Sequence, residues 1–283
     1  QRELIIGDAH SGKTSFLMDL VAGQAQQGTV CIVASIGKPI SELRSILDIL
    51  HQNKAISSTI IVATSSSDPS PLIFFTPHAA LSIAEYFQNQ GKDVLVILDD
   101  MGIHAKTYRE LSLLGGRPPG RESYPGDIFF IQARLLERAG RFNEKSGGGS
   151  ITALPVIEIN LNDFTTFVPT NLMAMTDGHL FFRASLHVQG FKPAIDIATS
   201  VTRVGRQTQP LITNLLSQAI RQILTEAESL QTVERFAQEL PAQTKNLLHQ
   251  NRLFKEMLKQ DIVNFVPQET QLALLWLVLT SFF

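Results

Sequence analysis

Leu4-Ile5-Ile6-Gly7-Asp8-Ala9-His10-Ser11-Gly12-Lys13-Thr14 is the stretch on which the reading of this chain turns. Residues 7–14 fit the pattern G-x-x-x-x-G-K-S/T. They lie between an apolar strand, 4–6, and a helix that begins near Lys13, which is the context the motif requires. Without a β-carbon, Gly7 and Gly12 let the backbone curl until successive N–H groups and the helix N-terminus face phosphate oxygens. Lys13 adds a point charge toward the outer phosphates. The motif therefore predicts ATP or ADP bound through Gly7, Asp8, Ala9, His10, Ser11, Gly12, Lys13, Thr14 and Ser15, with Thr14 on a magnesium ion. His10 is expected to contribute its backbone N–H alone.

Outward from this loop, short apolar runs at 4–6, 30–34, 59–63, 94–98 and 154–159 alternate with helical patterns, each run a candidate buried parallel strand. The alternation predicts an α/β fold, and with the phosphate loop at its head the expected architecture is a P-loop NTPase (RecA-like) one, a mostly parallel sheet with helices on both faces. Phe16, Leu17, Leu20 and Val21 share one helical face. Thr76 as N-cap and Pro77 at the first helical position predict the start of another helix, which Gly91 closes. The run 94–98 leads into Asp99-Asp100. A carboxylate at the C-terminal end of such a strand delivers a hard oxygen toward magnesium, so Asp99 is the second expected metal ligand and Asp100 a turn or cap residue.

From about Gln207 the texture changes to Leu, Gln, Glu, Lys and Arg at helical spacing, broken by Pro241 and Pro267. This predicts a nucleotide-binding domain over 1–206 and a helical C-terminal domain over 207–283. Ser146-Gly147-Gly148-Gly149-Ser150 reads as a mobile loop within the α/β domain. With 44% hydrophobic and 18% charged residues, the 283-residue chain has the balance of a globular protein, not of a disordered chain or coiled coil. A formal net charge of −2 offers no global field for nucleic acid or an anionic membrane. Cys31 has no second cysteine to pair with, which suits a reducing compartment, and its apolar run predicts a small buried hydrophobe. No run reaches the roughly 20 apolar residues that span a bilayer. The nearest, 272–283, reads as a core helix cut short. With no initiator methionine, the chain reads as a piece of a longer protein.

Several ordered segments resemble the alpha subunit of the rotary F-type ATP synthase. They include the run into the phosphate loop from Gln1, Arg117-Pro118-Pro119-Gly120-Arg121-Glu122 with Tyr124-Pro125-Gly126-Asp127, and Leu135-Leu136-Glu137-Arg138-Ala139. Thr152-Ala153-Leu154-Pro155-Val156-Ile157-Glu158, Pro169-Thr170-Asn171, Thr176-Asp177-Gly178, Lys192-Pro193-Ala194-Ile195 and Ser200-Val201-Thr202-Arg203-Val204-Gly205 follow in the family's order. The resemblance implies a nucleotide-binding core and a helical C-terminal domain, with the family's N-terminal β-barrel outside this chain. It further implies an alternating hexameric ring with a catalytic beta subunit, a central rotor shaft, and indirect coupling to a membrane ion-translocating sector. The chain would then sit peripherally on an energy-coupling membrane.

Phosphoryl transfer to water needs a group that positions the attacking water. In the catalytic beta relative a glutamate follows the glycine at the end of the second strand, and the alpha family usually has glutamine there. Here Ile36-Gly37 is followed by Lys38, which cannot accept a proton while charged. Lys38 reads equally as a solvated strand-end lysine or as one beside the outer phosphate. Either way the reading is a non-catalytic, regulatory nucleotide site. The resemblance makes Arg203 an arginine finger, given in trans to the neighbouring subunit, and places Pro193 and Gln260 near the base. Lys192 replaces the family's usual arginine, residues 261–266 break the pattern that normally follows Gln260, and the acidic rotor-facing turn is absent after 236–238. The rival readings are a self-sufficient P-loop ATPase (an export ATPase or hexameric helicase), the regulatory B subunit of vacuolar-type ATPases, and a diverged structural subunit that binds nothing. Lys38 argues against the first, the intact Gly12-Lys13-Thr14 against the second.

Overall fold

Period-two alternation of apolar side chains gives the central strands two buried faces, and both are covered. The computed structural model describes residues 1–159, 164–234, 241–260 and 266–280. Within them β1 (Glu3–Asp8), β2 (Val30–Lys38), β3 (Thr59–Ser65), β4 (Asp93–Asp99), β5 (Ser150–Ile159), β6 (Gly178–Phe182) and β7 (Val201–Thr202) form one sheet in the order β3-β2-β4-β5-β1-β6-β7. All pairings are parallel except β6 with β7. The five predicted strands are all present. β6 and β7 were not predicted, because one is five residues long and the other two, and neither stands out as an apolar run.

Leu4, Ile6, Ile32, Ala34, Val96 and Leu98 point to one face, where they meet α3 (Ser70–Gln88), α4 (Met101–Leu114), α5 (Ile128–Leu136) and α6 (Phe167–Met175). Ile5, Cys31, Val33, Leu95, Ile97 and Val156 point to the other, against α1 (Lys13–Gln26) and α2 (Ile40–Gln52). Each buried aliphatic side chain contributes about 1.5–3 kcal/mol by leaving water, so the two layers hold the sheet from both sides. Cys31 is buried and free, as its surroundings suggested, and burial pushes its thiol up to about 11.

α3 corrects one expectation. It starts at Ser70, and Pro77 lies inside it. Thr76 is no cap, since its hydroxyl donates to the Leu72 carbonyl at 3.0 Å and pairs with Thr64 Oγ1 at 2.8 Å. Ile73, Ala80, Leu81 and Ala84 bury their side chains on both sides of the proline, and that packing outweighs the missing N–H. The glycine run at 147–149 is a packed turn. Gly147 and Gly148 have positive φ, and a β-carbon on Gly149 would lie 2.3 Å from the Gln88 carbonyl oxygen. After β7 the chain is helical: α7 (Ala184–Val188) precedes it, and α8 (Leu211–Glu234), α9 (Ala242–Met257) and α10 (Gln268–Leu279) follow. Ile220, Leu224, Phe254 and Val278 form a small separate core among these three, with Ile197 packed against it. The stretches 160–163, 235–240, 261–265 and 281–283 lie outside the described residues, so the rotor-facing turn and all but the last residue of the break after Gln260 lie there too. No helix among the described residues is long and apolar enough to cross a membrane.

His104, on α4, is fully buried and stacks on Phe74 at 4.9 Å. Neither of its ring nitrogens has a hydrogen-bond partner among the described residues. Burial, with a smaller push from His78, takes its pKa from about 6.5 down to about 3. The unfolded chain therefore gains a proton that the folded one refuses, and stability falls as pH drops from about 6.5 toward about 3. His104→Leu removes an unpaired polar group whose burial costs about 1–3 kcal/mol. Its thermal midpoint is expected to exceed wild type, by a margin that widens in acid. Melting curves followed by circular dichroism at about pH 7.5 and about pH 5 check this, and a midpoint below wild type at both would contradict it.

Candidate nucleotide-binding site

The cleft sits outside the carboxyl ends of the strands, where β1 leads by way of α1 to β2, three places across the sheet, while β6 lies on its other side. Such a switch in strand order opens a crevice, and ligands of open α/β sheets bind there. Its volume is about 1030 Å³, and Ala9, His10, Ser11, Gly12, Lys13, Thr14 and Ser15 line one wall. Gly12 takes a left-handed φ of 85° as the residue before α1, a conformation that costs glycine little. A β-carbon on Gly7 would lie 2.2 Å from the Phe182 carbonyl oxygen, so only glycine lets β1 end this close to β6. His10 also has positive φ, at 56°. The N-terminus of the 14-residue α1 thus opens into the cleft, as an anion site requires.

Lys13 is buried and curls back on its own loop. Its Nζ donates to the Gly7 carbonyl at 3.0 Å and also to the Asp8 carbonyl, and stands 3.8 Å from Glu158. Burial lowers its pKa, while Glu158, Asp100 and Asp99 oppose the shift. Ser11 Oγ donates to the Asp8 carbonyl at 2.7 Å and braces the loop. Thr14 and Ser15 stay exposed at its rim.

At the ends of β2 and β4 the arrangement differs from expectation. Ser35 and Asp99 are partners in the parallel register, which brings Lys38 beside Asp99. Lys38 Nζ lies 3.1 Å from Asp99 Oδ1 and 3.5 Å from Glu42, and its side chain is only 14% exposed. Burial alone would lower the Lys38 pKa, but the Asp99, Asp100 and Glu42 carboxylates outweigh it and hold it above the ordinary lysine value. Lys38 is thus neither solvated nor idle. Asp100 caps α4, accepting from the Gly102 and Ile103 amides, and its other oxygen accepts from the Glu158 amide at 3.0 Å. Burial, then the Asp99 charge, push Asp100 up to about 6.

Magnesium needs hard oxygens in a tight octahedron at about 2.0–2.1 Å. Thr14 supplies a hydroxyl, but the Asp99 carboxylate already holds an ammonium in a buried pair, and Asp100 is committed to backbone amides. The residues present do not fit a magnesium ion held by Asp99.

Several cleft residues escaped the sequence reading, Glu42, Lys106, Arg109, Glu158 and His187 among them. Glu158 stands at the end of β5 beside Lys13, and a β-carbon at Gly12 would meet His187 Nδ1 at 3.3 Å. Strand order alone brings them in, and no local pattern marks them. Pro193 and Gln260 come together elsewhere, where the Gln260 amide donates to the Lys192 carbonyl at 2.6 Å, and neither lines the phosphate cleft. Arg203 also lies outside it. It is exposed just after β7 at the sheet edge, its amide donating to the Asp177 carbonyl at 2.8 Å.

A phosphate-binding loop at the head of a parallel, helix-covered sheet defines a P-loop nucleotide-binding protein. Residues 1–202 match the nucleotide-binding domain of the ATP synthase alpha/beta family, and the chain belongs to that family. It is 42% identical over 275 residues to ATP synthase subunit alpha 2 of Syntrophus aciditrophicus, covering 97% of this chain and 53% of that protein. It is 41% identical over 281 residues to ATP synthase subunit alpha 2 of Nitrosospira multiformis, covering 99% and 55%. The chain spans about half the length of the curated relatives it matches.

Proposed function

We propose that this chain is the nucleotide-binding part of a non-catalytic alpha-type subunit of a rotary ATP synthase. It binds ATP or ADP at loop 7–14, with Pro193 and Gln260 toward the base, and lends Arg203 to a neighbouring catalytic beta subunit. The nucleotide domain ends near Arg206 and the helical domain follows. Its partners are the beta subunit in an alternating hexameric ring, the central rotor shaft and, indirectly, a membrane ion-translocating sector, so that it sits peripherally on the membrane.

The observation that carries the non-catalytic reading is Lys38. Where a water-positioning carboxylate would have to stand, an ammonium is locked to Asp99 at 3.1 Å. The purified chain is therefore expected to retain nucleotide and show no hydrolysis above background in a phosphate-release assay. One observation favours a second reading. Glu158 places a half-exposed carboxylate in the cleft, which a self-sufficient ATPase could use to orient water. Turnover by the isolated chain that disappears in Glu158→Gln would establish that reading instead.

A further inference from the structure

The cation next to Asp99 is part of the chain itself. Lys38 and Asp99 are both largely buried, with side chains 14% and 8% exposed, and lie 3.1 Å apart at the mouth of the phosphate loop. Glu42, in the first turn of α2, holds the same ammonium at 3.5 Å. The register of β2 on β4 sets this position, so the pair is built into the sheet and is no chance meeting of surface side chains. Lys13 faces the same space from the loop. The lining of the cleft thus includes two ammonium groups, those of Lys13 and Lys38.

A divalent cation in such a site neutralises phosphate oxygens and is itself anchored by a carboxylate. Lys38 meets both requirements: a lysine ammonium has three donors and no acceptor, so with Asp99 and Glu42 each taking one it can still offer the third to a phosphate. A magnesium ion seeking Asp99 would bring two positive charges against that buried ammonium, and like charges repel strongly where water is scarce. We propose that Lys38 takes the place of the divalent cation, so that this site binds a nucleoside di- or triphosphate without requiring magnesium. Thr14 stays free to touch a magnesium ion that arrives with the nucleotide, but affinity does not depend on it. The inference rests on the reading of loop 7–14 as a nucleotide site and adds what neutralises the ligand there.

Fluorescence titration of the full chain with a methylanthraniloyl-labelled ATP, once with magnesium and once with excess EDTA, tests it. Wild-type affinity is expected to change by less than about threefold between the two conditions. Lys38→Gln removes the charge, and its affinity is expected to fall by about tenfold or more in EDTA and to recover with magnesium, because Asp99 is then open to the ion. Recovery also shows that the variant folds. A wild type that weakens about tenfold in EDTA overturns the inference and leaves the nucleotide site standing, as does Lys38→Gln binding in EDTA as well as wild type. If Lys38→Gln binds under neither condition, Lys38→Arg decides: binding in EDTA supports the inference, and its loss there overturns it. A wild type that binds in neither condition removes the nucleotide reading itself, and the inference with it.

Discussion

In a ring reconstituted with a catalytic beta partner, Arg203→Ala is expected to slow ATP hydrolysis by about 10³–10⁵-fold, the range for an arginine finger supplied in trans. The effect arises because transition-state charge is spread over the phosphoryl oxygens, where a planar fork of donors meets it. Arg203→Lys is expected to restore little, since a point charge lacks that fork. The surroundings suit such a role. Arg203 is exposed at the sheet edge, and among the described residues no carboxylate forms an ion pair with it. Its backbone is anchored through the Asp177 carbonyl, and the Asp177 side chain is in turn held by Arg2 at 3.0 Å. Nucleotide binding at the chain's own loop should remain near wild type, because Arg203 does not line that cleft. Steady-state turnover within a factor of about ten of wild type would make the residue an interface packing element.

Lys13→Ala is expected to weaken nucleotide binding about 100-fold, close to the about 3 kcal/mol of the charge-assisted hydrogen bonds it would lose. Lys13 now spends its donors on the Gly7 and Asp8 carbonyls, and the same short reach brings them to a phosphate seated over the loop. The loss should appear in calorimetric titration with ATP and with ADP alike. Melting curves of the variant serve to show that the fold survives. Equal affinity for wild type and variant would remove the loop as the binding site, whatever Lys38 does. The two lysines are distinguishable: loss of Lys13 is expected to weaken binding with or without magnesium, whereas loss of Lys38 is expected to matter chiefly without it.

The phosphate loop could be read from sequence because everything that shapes it is local. Two glycines, a lysine and a threonine stand within eight residues, between an apolar run and a helix. Backbone curvature and helix N-terminal amides follow from that order alone. The same holds for the two-faced strands, whose alternate side chains reach opposite layers, and for Asp100, whose capping role depends on the amides two and three residues ahead. Thr76 and Pro77 misled for the complementary reason. A local start signal was overridden by the buried side chains that continue α3 through it.

The partners at the sheet edge were decided elsewhere. Lys38 faces Asp99 because β2 lies beside β4, Glu158 reaches Lys13 because β5 lies beside β1, and Arg203 stands at the far edge because β7 closes the sheet beyond β6. None of these neighbours is close in sequence. The chain by itself determined the α/β class, the phosphate loop and the family to which the loop belongs, since each is written in contiguous residues. Only the tertiary structure decided which charges meet in the cleft. Strand order and register are settled by packing two helical layers onto one sheet, and that packing couples residues that no local pattern relates.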